Sequence, residues 1–162
     1  MDTFFAGVQI NCDRILEIIS RGPLDEGDDD RQRIIAALSQ VLTAELACAQ
    51  RYRHEYQLAA TLHGEEAAKG FLDYAAEEKE HVGRVGDRIV ELGGQLRQTD
   101  GPTTKAEQSE HLEDMMKSDF ETEKLLIETY RALARWLEQA DPETAAMMQS
   151  IADDEQRHLT AP

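Results

Sequence analysis

Residues 73–92 read DYAAEEKEHVGRVGDRIVEL. Phe71, Ala75, Val82, Val85, Ile89 and Leu92 recur at helical spacing and would form one stripe if position 78 were apolar as well. Position 78 is Glu78, and His81 stands three residues further on. A carboxylate and an imidazole therefore occupy places where a helix presents core side chains.

The chain has 162 residues, which is one domain with room for a real core. It is 41% hydrophobic and 31% charged, a balance that suits a helical protein rich in Ala, Glu, Leu and Arg. No apolar run approaches the ~20 residues of a membrane span. The opening MDTFFAGVQINCDRI has an acid at position 2 and no basic n-region, so it makes a poor secretory signal. Cys12 and Cys48 lack ligand spacing and read as free thiols, so a reducing cytoplasm is the expected compartment. The formal net charge of −16 works against nucleic acid, whose phosphates need Lys and Arg for neutralisation. By itself that charge signifies solubility, and any cation chemistry must rest on particular residues.

Helical periodicity covers nearly the whole chain, and no stretch alternates as a strand does. A first segment from about Thr3 to Arg21 carries Phe4, Val8, Ile15, Ile18 and Ile19 on one face and stops at RGPLDEGDDD. Asp30 is positioned as the N-cap of a helix from Arg31 to Leu62, ending at His63-Gly64. Another helix runs from Glu65 to Leu92 and closes at Gly93-Gly94. The polar connection QLRQTDGPTTKAEQ follows, then a helix from Lys105 to Gln139. In ADPET, Asp141 is an N-cap and Pro142 the first helical residue of a last helix from Glu143 to Leu159. Four main helices with one long link predict an all-α four-helix bundle with a crossover, residues 31–162, plus a helical extension, residues 1–30.

Every main helix repeats the interruption at position 78. Leu38, Leu42, Glu45, Ala49, Tyr52 and Tyr56 form one seam. Leu112, Met116, Phe120, Glu123, Ile127, Tyr130, Ala134 and Leu137 form another, and Met148, Ile151, Glu155 and Leu159 a third. Two helices add a histidine three residues after the glutamate, His81 and His158, on the same helix face. In so acidic a chain a single Glu-x-x-His is weak, but two of them on apolar stripes, with two further seam glutamates, are strong as a set. Buried without partners, each such group costs several kcal/mol. Divalent cations remove that cost, because carboxylate and imidazole suit iron, manganese or zinc. One Glu from each of two helices and Glu-x-x-His from each of the other two is the ligand set of ferritin-like di-iron proteins.

From about Arg31 onward the chain resembles a bacterioferritin. Glu45 to Glu78 spans 33 residues, Glu78 to Glu123 spans 45 and Glu123 to Glu155 spans 32. The local text agrees in AELACAQRY, EEKEH, MMKSDFETE and DEQRH. The resemblance implies two iron ions per subunit: Glu45 and His81 as terminal ligands of one, Glu123 and His158 of the other, and Glu78 and Glu155 as bridges. Tyr52 falls where that family has a tyrosine beside the centre, able to supply an electron, although a core aromatic is an equally good reading of it. The implied activity is a ferroxidase, oxidising Fe(II) with dioxygen or hydrogen peroxide and storing the product as mineral if a shell forms.

Three departures bear on that resemblance. Lys79 stands where bacterioferritin places its haem-ligating methionine, which argues against the usual haem site. Met115, Met116, Met147 and Met148 read as helical core. The chain stops four residues after His158, so a homo-oligomer of 24, of 12 or a dimer are all compatible. Residues 1–30 have no counterpart in the family, and their apolar face must be buried on the bundle or on a neighbouring chain. Two rival readings are a non-storage di-iron or di-manganese oxidase or peroxidase of the rubrerythrin type and a DNA-protecting shell. The first lacks its rubredoxin cysteine pairs here, and the second lacks a basic tail. His54, His63 and His111 have no partner pattern; Glu77, Glu80, Asp153 and Asp154 read as solvated groups or as outer neighbours of the centre, and Trp136 as packing.

Overall fold

A computed structural model describes residues 3–25, 27–97 and 111–160. Among these residues lie five helices, α1 (Thr3–Ser20), α2 (Asp28–His63), α3 (Glu65–Glu91), α4 (Leu112–Leu137) and α5 (Pro142–Thr160). No strand occurs among the described residues. Residues 105–110, expected at the start of the fourth helix, lie outside them, as does most of the long connection; His111, expected inside that helix, is extended backbone (φ −99°) ahead of it, so the described helix starts at Leu112.

Two helical hairpins make the bundle. α2 and α3 are separated by Gly64 alone, whose φ of 91° is in the left-handed region that only glycine enters freely. Its N–H closes α2 by donating to the Ala60 carbonyl at 3.0 Å. The second hairpin turns at Asp141, where Pro142 opens α5 and the Asp141 carboxylate accepts the Thr144 N–H at 3.1 Å, the N-cap expected from ADPET. Arg88 at the end of α3 grips that turn, donating to both Asp141 oxygens at 3.0 and 3.2 Å and to the Thr144 hydroxyl at 2.8 Å. The hairpins face each other through α2 against α4 and α3 against α5.

Two other expectations need correction. α2 begins at Asp28 after Gly27, so Asp30 lies inside the first turn instead of capping it. The Asp30 carboxylate is turned back to the preceding loop, where it accepts the Asp25 N–H and pairs with Arg33 at 3.1 Å. Serving the loop is worth more there than capping, because three consecutive aspartates already favour the helix N-terminus. On α4, Met116 and Phe120 are 48% and 47% exposed, and the buried positions of those turns are Met115 and Asp119. The seam is displaced by one residue because Asp119 is drawn inward by the buried Arg51 guanidinium at 2.9 Å.

α1 packs across α2 and α4. Phe4, Val8, Cys12 and Ile15 are buried and continuous with the bundle core, and Ile18 and Ile19 pack at its margin. The link to α2 is held by Arg33, which donates to the Ile18 and Gly22 carbonyls and stacks over Trp136, its charge 5.1 Å from the ring centre. The Trp136 N–H also donates to the Gly22 carbonyl at 3.1 Å. No helix among the described residues is long and apolar enough to cross a membrane.

If α1 is part of the folding unit, emptying its deepest position weakens the whole protein. Ile15→Ala is expected to lower the unfolding free energy by about 2–5 kcal/mol in a single urea transition. A first, separate transition for α1 alone would contradict this.

Candidate metal centre

The six seam residues meet at the middle of the bundle. Glu45 comes from α2, Glu78 and His81 from α3, Glu123 from α4, and Glu155 and His158 from α5. Spacing i, i+3 stacks each histidine one turn above its glutamate on the same helix face. Glu45, Glu78, His81 and Glu155 have no exposed surface, and Glu123 is 3% exposed.

Their atoms fall into two groups that share members. Glu45, Glu78, His81 and Glu155 each offer a ligand atom within 4.8 Å of the others, and so do Glu78, Glu123, Glu155 and His158. Glu78 and Glu155 belong to both. His81 Nδ1 lies 2.9 Å from Glu45, 3.2 Å from Glu155 and 3.9 Å from Glu78. His158 Nδ1 lies 3.4 Å from Glu155, 3.6 Å from Glu78 and 3.7 Å from Glu123.

The outward nitrogens are held by two more carboxylates. His81 Nε2 is 2.8 Å from Asp154, and His158 Nε2 is 3.0 Å from Glu77. Arg157 bridges those carboxylates, 2.7 Å from Asp154 and 3.2 Å from Glu77. Glu77 and Asp154 thus neighbour the centre, whereas Glu80 and Asp153 face solvent. Arg157 had no signal beyond its i, i+3 spacing from Asp154. Fixing the outer nitrogen is how a ligating histidine is usually oriented.

The site's own electrostatics expose a deficit. Burial and the charges of Glu155, Glu45 and Glu123 push the Glu78 carboxyl well above its usual range, and burial with Glu155 does the same to Glu123. Burial disfavours charge on His81, but its contacts with Glu155 and Glu45 outweigh that and raise it to about 11. His158 is raised to about 11 in the same way, against burial, by Glu123 and Glu155. Even so, seven buried polar atoms make no hydrogen bond: Glu45 Oε2, both oxygens of Glu78 and of Glu155, Glu123 Oε2 and His158 Nδ1. Protein interiors do not normally tolerate this. Two divalent ions would supply the missing partners, and four positive charges balance four carboxylates with both imidazoles neutral. The donor set is oxygen and imidazole, which fits iron, manganese or zinc.

Tyr52 is 5% exposed, and its hydroxyl donates to Glu123 at 2.5 Å. Burial and the neighbouring carboxylates hold its proton on firmly. Beside it runs a layer the sequence did not announce. Arg51 is fully buried, paired with Asp119, bonded to the Met115 carbonyl at 3.3 Å, and covered by the Phe4 ring of α1 at 4.6 Å. Glu55, buried one turn further along α2, faces the same Asp119. An open pocket of about 280 Å³, lined by Phe71, Tyr74, Phe120, Tyr52, Glu123 and His158 among others, leads from the surface to the Glu123 side of the centre. Cys12 and Cys48 are free and buried; burial raises the first to about 12, and burial with the neighbouring carboxylates pushes the second well above the ordinary thiol range. Lys79 points to solvent.

A helical bundle with carboxylates and histidines converging at its middle defines the ferritin-like class. Residues 35–161 match the ferritin-like domain family. A bacterioferritin of Desulfovibrio desulfuricans is 31% identical over 139 residues, 82% of this chain and 74% of that protein. Among solved structures, the dodecameric thioferritin of Bacteroides fragilis, a bacterioferritin-related protein, superposes with a TM-score of 0.68 at 20% identity, over 89% of this chain and 86% of that one. The chain belongs to the ferritin-like family as a bacterioferritin-like member.

Two measurements probe the centre directly. The facing glutamates favour the protonated form of both imidazoles, and a ligating imidazole must be neutral, so metal binding is expected to release protons and to strengthen as pH rises. Calorimetric titration with Zn(II) in buffers of different ionisation enthalpy is expected to report at least two protons released per centre; none released would be incompatible with histidine ligation. Asp154→Asn is expected to weaken metal binding by about 10–100-fold. An unchanged affinity would show that Asp154 does not orient His81.

Proposed function

We propose that this protein is a ferroxidase that oxidises Fe(II) at an intra-subunit two-iron centre and stores the oxidised iron. The observation that carries this reading is the set of orphaned carboxylate oxygens around two ligand groups with Glu78 and Glu155 in common. Glu45 and His81 bind one Fe(II) and Glu123 and His158 the other, while Glu78 and Glu155 bridge them. The relatives are a bacterioferritin and a bacterioferritin-related protein, which supports the same assignment.

Iron is the substrate, and each Fe(II) gives one electron to dioxygen or hydrogen peroxide held at the centre. The carboxylates favour the more highly charged Fe(III) product, being hard oxygen donors. Asp154 and Glu77 keep Nδ1 of each histidine directed at the iron. Tyr52, hydrogen-bonded to a ligand of the second iron, is placed to add a further electron. The apolar walls around the buried half exclude water, which strengthens every charge interaction inside.

The protein acts as a homo-oligomeric shell, in keeping with the dodecameric neighbour, in the cytoplasm. Its acidic balance favours cations over nucleic acid. Aerobic titration of metal-free protein with Fe(II), followed optically, is expected to break at two irons per chain and then continue to many more. A break at two without further soluble uptake would replace storage by a di-metal oxidase or peroxidase. Absence of accelerated oxidation would overturn the iron reading.

A further inference from the structure

One aromatic side chain of the centre has no task in this mechanism. Tyr74 lies on α3, one turn before Glu78. Its ring centre is 4.3 Å from that of His158 and 5.5 Å from that of Tyr52, with interplanar angles of 39° and 58°. Tyr52 and His158 are 6.1 Å apart edge to face, so the three rings form a closed triangle. Both tyrosines border the 280 Å³ pocket, with Phe120 and Met116 at its rim, but Tyr52 is only 5% exposed whereas Tyr74 is half-buried. Packing on His158 would be served by phenylalanine, and neither the carboxylates nor the imidazoles use the Tyr74 hydroxyl.

We propose that Tyr74 is an electron relay that moves the oxidising equivalent from Tyr52 to the solvent-open pocket. This rests on the ferroxidase reading and extends it. Tyr52 gives one electron to the oxidant and its hydroxyl proton to Glu123, whose oxygen it already bonds. Tyr74 then gives one electron to the Tyr52 phenoxyl. The proton on Glu123 returns to Tyr52, and the Tyr74 proton passes to pocket water. In sum Tyr74 has lost one electron and one proton, Tyr52 and Glu123 are restored, and the radical sits on Tyr74. There a water-soluble one-electron donor returns the electron, with a proton from water. The direction follows from access: Tyr74 is the less buried of the two rings, and so the one a soluble donor meets first. The consequence is that the oxidising equivalent leaves a tyrosine bonded to a ligand carboxylate for one that soluble reductants reach more readily.

The test is rapid-freeze electron paramagnetic resonance on full-length shells loaded with Fe(II) and mixed with dioxygen, with ring-deuterated tyrosine to identify the signal. Wild type, Tyr52→Phe and Tyr74→Phe are compared with and without ascorbate. Tyr74→Phe keeps the ring and its packing while removing the transferable hydrogen. Wild type is expected to give a tyrosyl signal that ascorbate quenches, and Tyr52→Phe to lose it. Tyr74→Phe is expected to give a signal of different hyperfine shape that ascorbate no longer quenches. An unchanged shape and quenching in Tyr74→Phe overturns the relay, as does the absence of any tyrosyl signal. Optical oxidation of Fe(II) by the same wild-type sample keeps the two readings apart: oxidation with either of those results removes the relay and leaves the ferroxidase, and no oxidation removes both.

Discussion

Four carboxylates and two imidazoles share the buried middle of a helical bundle, and much of the molecule is arranged around that burden. Removing such groups from water is costly, and their mutual repulsion adds to it. The protein meets part of the cost by pairing. Each histidine is raised to about 11 by the glutamates it faces, and each outer nitrogen rests on a further carboxylate. Pairing does not suffice, since seven polar atoms keep no hydrogen bond. Two divalent ions would supply the partners those atoms lack.

The surrounding structure holds that arrangement rigid. Arg88 ties the α4–α5 turn to α3, fixing α5 along its axis and with it Glu155 and His158. Arg51 draws Asp119 inward and is covered by Phe4, so the first residues of α1 close a polar layer immediately beside Tyr52 and Glu123. The extension is therefore joined to the site as well as to the core. Its apolar face is spent on its own bundle, through Val8, Cys12 and Ile15. Burial of this kind is the main source of helix stability in proteins, where isolated helices are marginal.

Much of this was legible from local chemistry. Gly64 and the Asp141-Pro142 pair marked hairpin turns because turn and cap geometry depends on residues within a few positions. The six seam residues were visible because helical periodicity makes a polar side chain on an apolar stripe conspicuous. Other features were not. Asp30 looks like a cap, and only the returning loop shows that its carboxylate is used by Asp25 and Arg33. Met116 and Phe120 satisfy the stripe on α4, yet face outward because a buried arginine on another helix selects Asp119 instead.

The division between the two levels has a physical basis. Amino-acid order by itself determined the helices, their turns and the residue types able to hold metal, since these follow from contacts within about one helical turn. Tertiary structure decided which atoms meet: that Glu78 and Glu155 stand between two groups, that Arg157 joins Asp154 to Glu77, and that Tyr74 touches both Tyr52 and His158. Apart from the Arg157–Asp154 pair within α5, those contacts join residues more than 20 positions apart on separate helices. No local pattern encodes them, because they depend on how the helices are rotated and offset once packed.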